Sequence, residues 1–274
     1  MLMSIIQPIL FGLLQAITEF LPISSSGHLL ILHNFWPSAF QDTLTADLAL
    51  HVGTFLAVLI YFYKDILRYL SAIIEIFIPK REVNRHDLNE VFAIIVATIP
   101  AVVVGIIFGD FIENSTRNLP TVLISLVVIA ILFLFVEKWK KAGSKEFSGL
   151  NFGKALSIGL AQVLAFIPGV SRSGITIIAG LGFDLKKQEA ARFAFLLSLP
   201  TIFGATLLQI ISLDWNLVSD NEKISLFFLI FSSFIFGLLV IKFFLKILQK
   251  YSLKPFAYYR IILALGVLLW LIVK

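Results

Sequence analysis

The sequence lacks cysteine altogether and is short of charge. Without cysteine there is no disulfide framework, no thiol nucleophile and no thiolate metal site, and the redox compartment is unreadable. Charged residues make up 14% of the 274 positions, against roughly a quarter in an average soluble domain. That leaves too little polar surface to cover a water-soluble body. Disorder is excluded by the same composition. P-loop, HExxH and GxSxG patterns are also missing, so none of these offers a competing site. What is present is apolar: 59% hydrophobic residues and a mean hydropathy of +0.96. The class that fits is an all-α integral membrane protein, with 1–274 as a single membrane domain. No Lys or Arg precedes Lys64. The N-terminus therefore lacks the positive region of a cleavable signal peptide, and its apolar stretch is expected to be retained.

Uncharged apolar runs at 91–109, 119–136, 193–213 and 224–241 can each cross a hydrocarbon core of about 30 Å at about 1.5 Å per residue. Residues 46–63 form a similar span, interrupted by Asp47 and His51, and 255–273 another, with Arg260 about a turn inside. These are six expected transmembrane helices. Two further apolar regions are broken. Region 1–34 contains Pro8, Gly12, Glu19 and then Pro22-Ile23-Ser24-Ser25-Ser26-Gly27-His28, while 151–183 is cut by Pro168-Gly169-Val170-Ser171-Arg172-Ser173-Gly174. Proline removes a donor and glycine loosens the backbone, so each region reads as two short helices joined by a polar bend. Irregular backbone at membrane depth is tolerated only inside protein or beside water, which favours re-entrant helical hairpins.

Charge placement tests that layout. With hairpins returning to their own side and six spans alternating, 18 of the 22 Lys and Arg residues fall on one side, Arg260 among them. Arg117, Lys223 and Lys274 fall on the other, and Arg172 lies in a hairpin. Such a bias marks the first side as cytoplasmic and turns both termini outward. The net charge of +5 thus reports orientation, and nucleic acid is a poor partner.

The two broken regions match at an offset of 147 residues: Gly12, Gln15, Ser24, Ser26 and Gly27 fall on Gly159, Gln162, Ser171, Ser173 and Gly174. Because the hairpins enter from opposite sides, the chain reads as two five-helix halves, 1–145 and 146–274, related as an inverted-topology repeat. Such repeats place their site at the broken helices near the midplane.

Ionisable side chains at that depth are functional candidates by default. Gln15 and Glu19 are four apart and share a helix face. Ser25 and His28 are three apart past the bend, a hydroxyl beside an imidazole that can deprotonate it. Arg172 stands alone in the otherwise uncharged stretch 155–183 and demands an anionic partner. It opens a short helix between Ser171 and Ser173, with Thr176 one turn on, which suits phosphate. An internal Arg172–Glu19 ion pair that only stabilises the repeat interface is the plainer reading; a resting pair that opens on phosphate combines both. His51 is near the outer end of its span, where packing is at least as good an explanation. Together these residues suggest phosphoryl chemistry on a membrane-resident substrate.

The segments Gly12-Leu13-Leu14-Gln15-Ala16-Ile17-Thr18-Glu19-Phe20-Leu21-Pro22, Ser24-Ser25-Ser26-Gly27-His28 and Pro168-Gly169-Val170-Ser171-Arg172-Ser173-Gly174 resemble those of the undecaprenyl-diphosphate phosphatases, the bacitracin-resistance family of bacterial inner-membrane proteins. Leu50-His51-Val52-Gly53-Thr54 and Tyr259-Arg260-Ile261 are similar to family segments too. The resemblance covers essentially the whole chain. It implies hydrolysis of undecaprenyl diphosphate to the monophosphate and phosphate, recycling the carrier lipid for peptidoglycan synthesis, at a site opening to the outer, periplasmic face. It also implies dependence on a divalent cation, usually Mg²⁺. Carried over, Glu19, Ser25, His28 and Arg172 are the expected catalytic residues; the neighbouring hydroxyls of Ser24, Ser26, Ser171, Ser173 and Thr176 are expected to bind the phosphates beside them. Gln15 and Glu19 are the expected metal-binding pair, although a neutral Gln15 weakens a two-carboxylate site. Membrane lipids are the expected surroundings, and a homodimer is left open. A phosphate-headgroup flippase or secondary transporter is the competing reading, because inverted repeats with broken helices are also transporter architecture.

Overall fold

The computed structural model describes residues 3–35, 44–79, 82–139, 143–212 and 219–273. These residues form α1 (Met3–Phe20), α2 (Ser25–Phe35), α3 (Leu44–Tyr61), α4 (Tyr63–Glu75), α5 (Arg85–Thr116), α6 (Leu119–Trp139), α7 (Phe152–Val163), α8 (Arg172–Gly182), α9 (Lys187–Ser212), α10 (Asp220–Leu248) and α11 (Lys254–Val273). Among the described residues there is no β-strand, only an isolated bridge between Lys145 and Leu185. The chain is a multi-pass helical membrane protein: α5, α6, α9, α10 and α11 are each long and apolar enough to span.

The expected span at 46–63 behaves differently. Its helix α3 ends at Tyr61, and α4 leaves at 70°. The apolar run meets Lys64 and Asp65 there, and α4 turns aside with Asp65 paired to Arg192. Asp65 and Tyr69 face inward onto Arg192 of α9 and Glu90 of α5, while Leu67, Leu70 and Ile74 are exposed.

Close helix approaches are made by small residues, as expected where lipid removes the hydrophobic drive between helices. A Cβ on Gly12 of α1 would lie 2.7 Å from the Ser233 nitrogen of α10, and one on Gly53 of α3 would lie 2.4 Å from the Ile230 carbonyl oxygen. Helix α10 is thereby clamped between α1 and α3. On the other side of the molecule, Gly159 of α7 presses on α5, where a Cβ would lie 2.4 Å from the Ala97 carbonyl oxygen.

Two polar anchors hold helix ends together. Arg192 reaches Glu90 at 2.8 Å and Asp65 at 2.8 Å, and lies over the Phe147 ring at 4.9 Å. Glu137 of α6 accepts from Lys187 at 2.8 Å and from the Leu253 nitrogen at 2.8 Å, tying α6, α9 and the start of α11.

Candidate functional site

The two bends are built alike. Helix α2 opens at Ser25 and α8 at Arg172, again 147 residues apart. The preceding serines, Ser24 and Ser171, have φ of +79° and +73°, a left-handed conformation unusual for a residue with a Cβ. In each bend that serine caps the new helix: Ser24 Oγ accepts from the Gly27 nitrogen at 3.2 Å, and Ser171 Oγ from the Gly174 nitrogen at 3.1 Å. Each capping oxygen also lies beside a second serine, Ser26 at 3.3 Å and Ser173 at 3.2 Å. The bends touch one another. A Cβ on Gly27 would sit 3.3 Å from the Gly169 Cα, and Gly169, at φ +93°, leaves room only for hydrogen against Val122 of α6.

Glu19, in the last turn of α1, is where the charged and polar groups converge. One carboxylate oxygen is ion-paired with Arg172. The other accepts from Ser25 Oγ at 2.6 Å and from Gln15 Nε2 at 3.4 Å. Arg172 donates in addition to Thr201 Oγ1 of α9 at 3.0 Å. The structure therefore joins Ser25 to Glu19 and not to His28. The His28 ring has both nitrogens occupied: Nδ1 donates to the Ser24 carbonyl at 2.7 Å, and Nε2 pairs with the Tyr259 hydroxyl at 2.7 Å.

The expected phosphate-binding hydroxyls divide by exposure. Ser26 is exposed and Ser25 and Arg172 are partly so, whereas Ser24, Ser171, Ser173 and Thr176 are buried. Thr176 donates to the Arg172 carbonyl at 2.7 Å, and Ser173 donates to the Glu19 carbonyl at 3.1 Å. Through these bonds the two hydroxyls brace the bends.

Arg260 requires a correction. Counted above with the cytoplasmic loops, it is completely buried between the bends. It donates to the Pro22 carbonyl of the first bend at 3.2 Å and to the Gly169 carbonyl of the second at 2.6 Å. It also donates to the Leu126 and Ser125 carbonyls of α6, both at 3.2 Å. Carbonyl dipoles from three segments surround its charge, in place of a carboxylate. The rule that singled out Arg172 applied to Arg260 as well, but its position six residues after Lys254 suggested a loop-side charge. Thr201 carries no sequence signal, since threonine is ordinary in apolar helices, and Tyr259 is marked only as part of the Tyr259-Arg260-Ile261 segment, with no role of its own. His51, for which packing is by sequence at least as good an explanation as function, has its Nδ1 3.5 Å from Gln15 Nε2.

Gln15 Oε1 is buried with no hydrogen-bond partner, while the Nε2 of the same amide faces the Glu19 carboxylate. Magnesium binds through one or two carboxylates and takes its remaining ligands from phosphates and water, so the Glu19 carboxylate fits such an ion without the amide. Among the described residues, His86, Asp87 and Glu90 also lie close enough together to share an ion. Their carboxylates are already engaged by Arg68, Asn84, Tyr69 and Arg192.

Fold and site together define a class: a polytopic helical membrane protein in which Glu19, Arg172 and Arg260 meet at two broken-helix bends. Within that class the chain belongs to the family of bacitracin resistance protein BacA, whose model matches residues 8–266. It is similar to the undecaprenyl-diphosphatase of Rubrobacter xylanophilus, 38% identical over 265 residues that cover 96% of this chain and 97% of the relative. The undecaprenyl-diphosphatase of Alteromonas mediterranea is 40% identical over 276 residues, covering 98% and 99%. That of Thermodesulfovibrio yellowstonii is 40% identical over 268 residues, covering 97% of each.

Proposed function

We propose that this protein is an undecaprenyl-diphosphatase: it hydrolyses undecaprenyl diphosphate to undecaprenyl phosphate and inorganic phosphate. The carrier lipid is thereby recycled for peptidoglycan synthesis, and bacitracin resistance follows. The observation that carries the chemistry is the Ser25–Glu19–Arg172 chain. Ser25 Oγ attacks the terminal phosphorus while its proton passes to Glu19, the acceptor already 2.6 Å away. The bond from that phosphorus to the bridging oxygen breaks, and undecaprenyl phosphate leaves. Water then cleaves the phosphoserine, phosphate departs, and the proton returns to Ser25. Arg172 exchanges part of its contact with Glu19 for phosphate oxygens and stabilises their charge in both displacements. A magnesium ion held by Glu19 would neutralise further phosphate charge. His28, held between Ser24 and Tyr259, keeps the α2 N-terminus in place.

We also read six spans and two re-entrant hairpins in the bacterial inner membrane, with both termini and the site opening on the periplasmic face. With Arg260 withdrawn from the loops, 17 basic residues still lie on the cytoplasmic side against three outside. The inverted repeat is supported by the two bends, which match in cap, backbone angle and spacing.

The test is phosphate release from undecaprenyl diphosphate by purified protein, with and without Mg²⁺. Ser25→Ala and Arg172→Ala are each expected to lower kcat by about 10²-fold or more. Near wild-type turnover in either variant would overturn these roles. Transbilayer lipid movement in proteoliposomes without phosphate release would favour the flippase instead.

A further inference from the structure

We infer that His51 is a positioning residue of this site, acting on Glu19 through the Gln15 amide. The inference rests on the diphosphatase reading. Gln15 Nε2 lies between two acceptors, Glu19 Oε2 at 3.4 Å and His51 Nδ1 at 3.5 Å. An amide nitrogen has two protons and no lone pair to offer, so His51 Nδ1 is the acceptor and its proton sits on Nε2. The amide cannot turn over without setting Oε1 against the Glu19 carboxylate. His51 thus fixes the N–H toward Glu19, and Oε1, buried with no partner, is held on the other side.

The backbone around this contact is rigid for a visible reason. Gln15 follows Gly12 by three residues, and His51 precedes Gly53 by two. Both glycines press on the same stretch of α10, where a Cβ would lie 2.7 Å from the Ser233 nitrogen for Gly12 and 2.4 Å from the Ile230 carbonyl oxygen for Gly53. Helix α10 is therefore a spacer that sets α1 against α3, and with them Gln15 against His51. The Thr54 hydroxyl, bonded back to the Leu50 and His51 carbonyls at 3.2 and 3.1 Å, stiffens that turn of α3. A half-buried imidazole serving only as filler would need neither the amide nor the spacer.

Glu19 must present one oxygen to Ser25 and the other to Arg172 at the same moment. An amide donating to the Ser25-facing oxygen limits rotation of the carboxylate about its last torsion. Loss of His51 frees the amide, and the carboxylate with it, so the penalty falls on turnover more than on substrate capture. Groups that orient a functional carboxylate or imidazole from behind are commonly worth 10–100-fold.

The experiment uses the full chain in lipid nanodiscs, with kcat and KM for undecaprenyl diphosphate and the 15N spectrum of histidine-labelled protein. His51→Leu is expected to lower kcat at least tenfold with KM within threefold. His51→Asn, whose carboxamide oxygen stands near the Nδ1 position and accepts, is expected to stay within about threefold of wild type. In a Gln15→Leu background, His51→Leu should cost nothing further. The chain has four histidines, so the His51 signal is assigned by its loss in His51→Leu, and it should report protonation at Nε2. Wild-type kcat in His51→Leu, an Asn variant as poor as Leu, or multiplicative losses in the double variant would overturn the inference, as would an Nδ1–H tautomer. Wild-type protein that releases no phosphate would overturn the diphosphatase reading instead, with the tautomer still deciding on His51.

Discussion

At the scale of single residues, the site depends on compensated buried charge. Arg172 and Glu19 face each other across the two bends, with the Glu19 side chain 8% and the Arg172 side chain 20% exposed. Removing one partner strands the other in a low-dielectric interior, at a cost of about 3–5 kcal/mol. Removing both with isosteric neutral groups costs much less. Thermal unfolding in detergent should therefore rank Glu19→Gln/Arg172→Met above Arg172→Met alone, although neither variant turns over. A double variant destabilised by the sum of the two single losses would show that the pair is not coupled. Arg260 differs, because its partners are carbonyls. Arg260→Met leaves the Pro22 and Gly169 carbonyls without donors inside the protein, at about 1–3 kcal/mol for each orphaned acceptor. It should lower the melting temperature and turnover together, whereas Ser25→Ala should lower turnover alone.

At the scale of elements, backbone proximity governs. Gly159 holds α7 on α5 with no room for a methyl group, so Gly159→Ala should destabilise by about 1–3 kcal/mol through overpacking. Gly204, inside α9, has nothing within 4 Å of a built Cβ. Gly204→Ala should be neutral or stabilising by up to about 1 kcal/mol, since alanine loses less backbone entropy in a helix. Paired melting curves check both. The turn between α3 and α4 belongs to this scale as well. Hydropathy alone extends the span through Tyr63, but Asp65 and Tyr69 gain an arginine and a carboxylate by swinging toward α9 and α5. Local composition could not announce that partnership.

At the scale of the molecule, the absence of cysteine becomes a tool. Single cysteines can be introduced into an otherwise thiol-free chain and probed with a membrane-impermeant maleimide in intact cells. Ser115→Cys, exposed at the end of α5, should label directly, and Lys250→Cys, exposed between α10 and α11, only after permeabilisation. The reverse pattern would overturn the orientation read from charge. The Arg192–Glu90–Asp65 cluster and the Arg172–Thr201 contact share helix α9, nine residues apart. At about 1.5 Å per residue that separates them by roughly 13 Å, so one helix joins the polar anchor at its start to the bends at depth.

The sequence by itself determined the solvent, the broken helices and the charged side chains that sit in them. Those follow from rules local to the chain: apolar length, proline and glycine, and the cost of burying charge. The tertiary structure alone decided which group faces which. Ser25 meets Glu19 rather than the nearer-numbered His28, Arg260 turns from α11 into the bends, and His51 of α3 joins Gln15 of α1. Each of these is a contact between helices distant in sequence, or a choice between two local partners made by backbone angles at Ser24 and Ser171. Scarcity of cysteine and charge defined the class from the start; close packing through glycine and serine determined where the few charges meet.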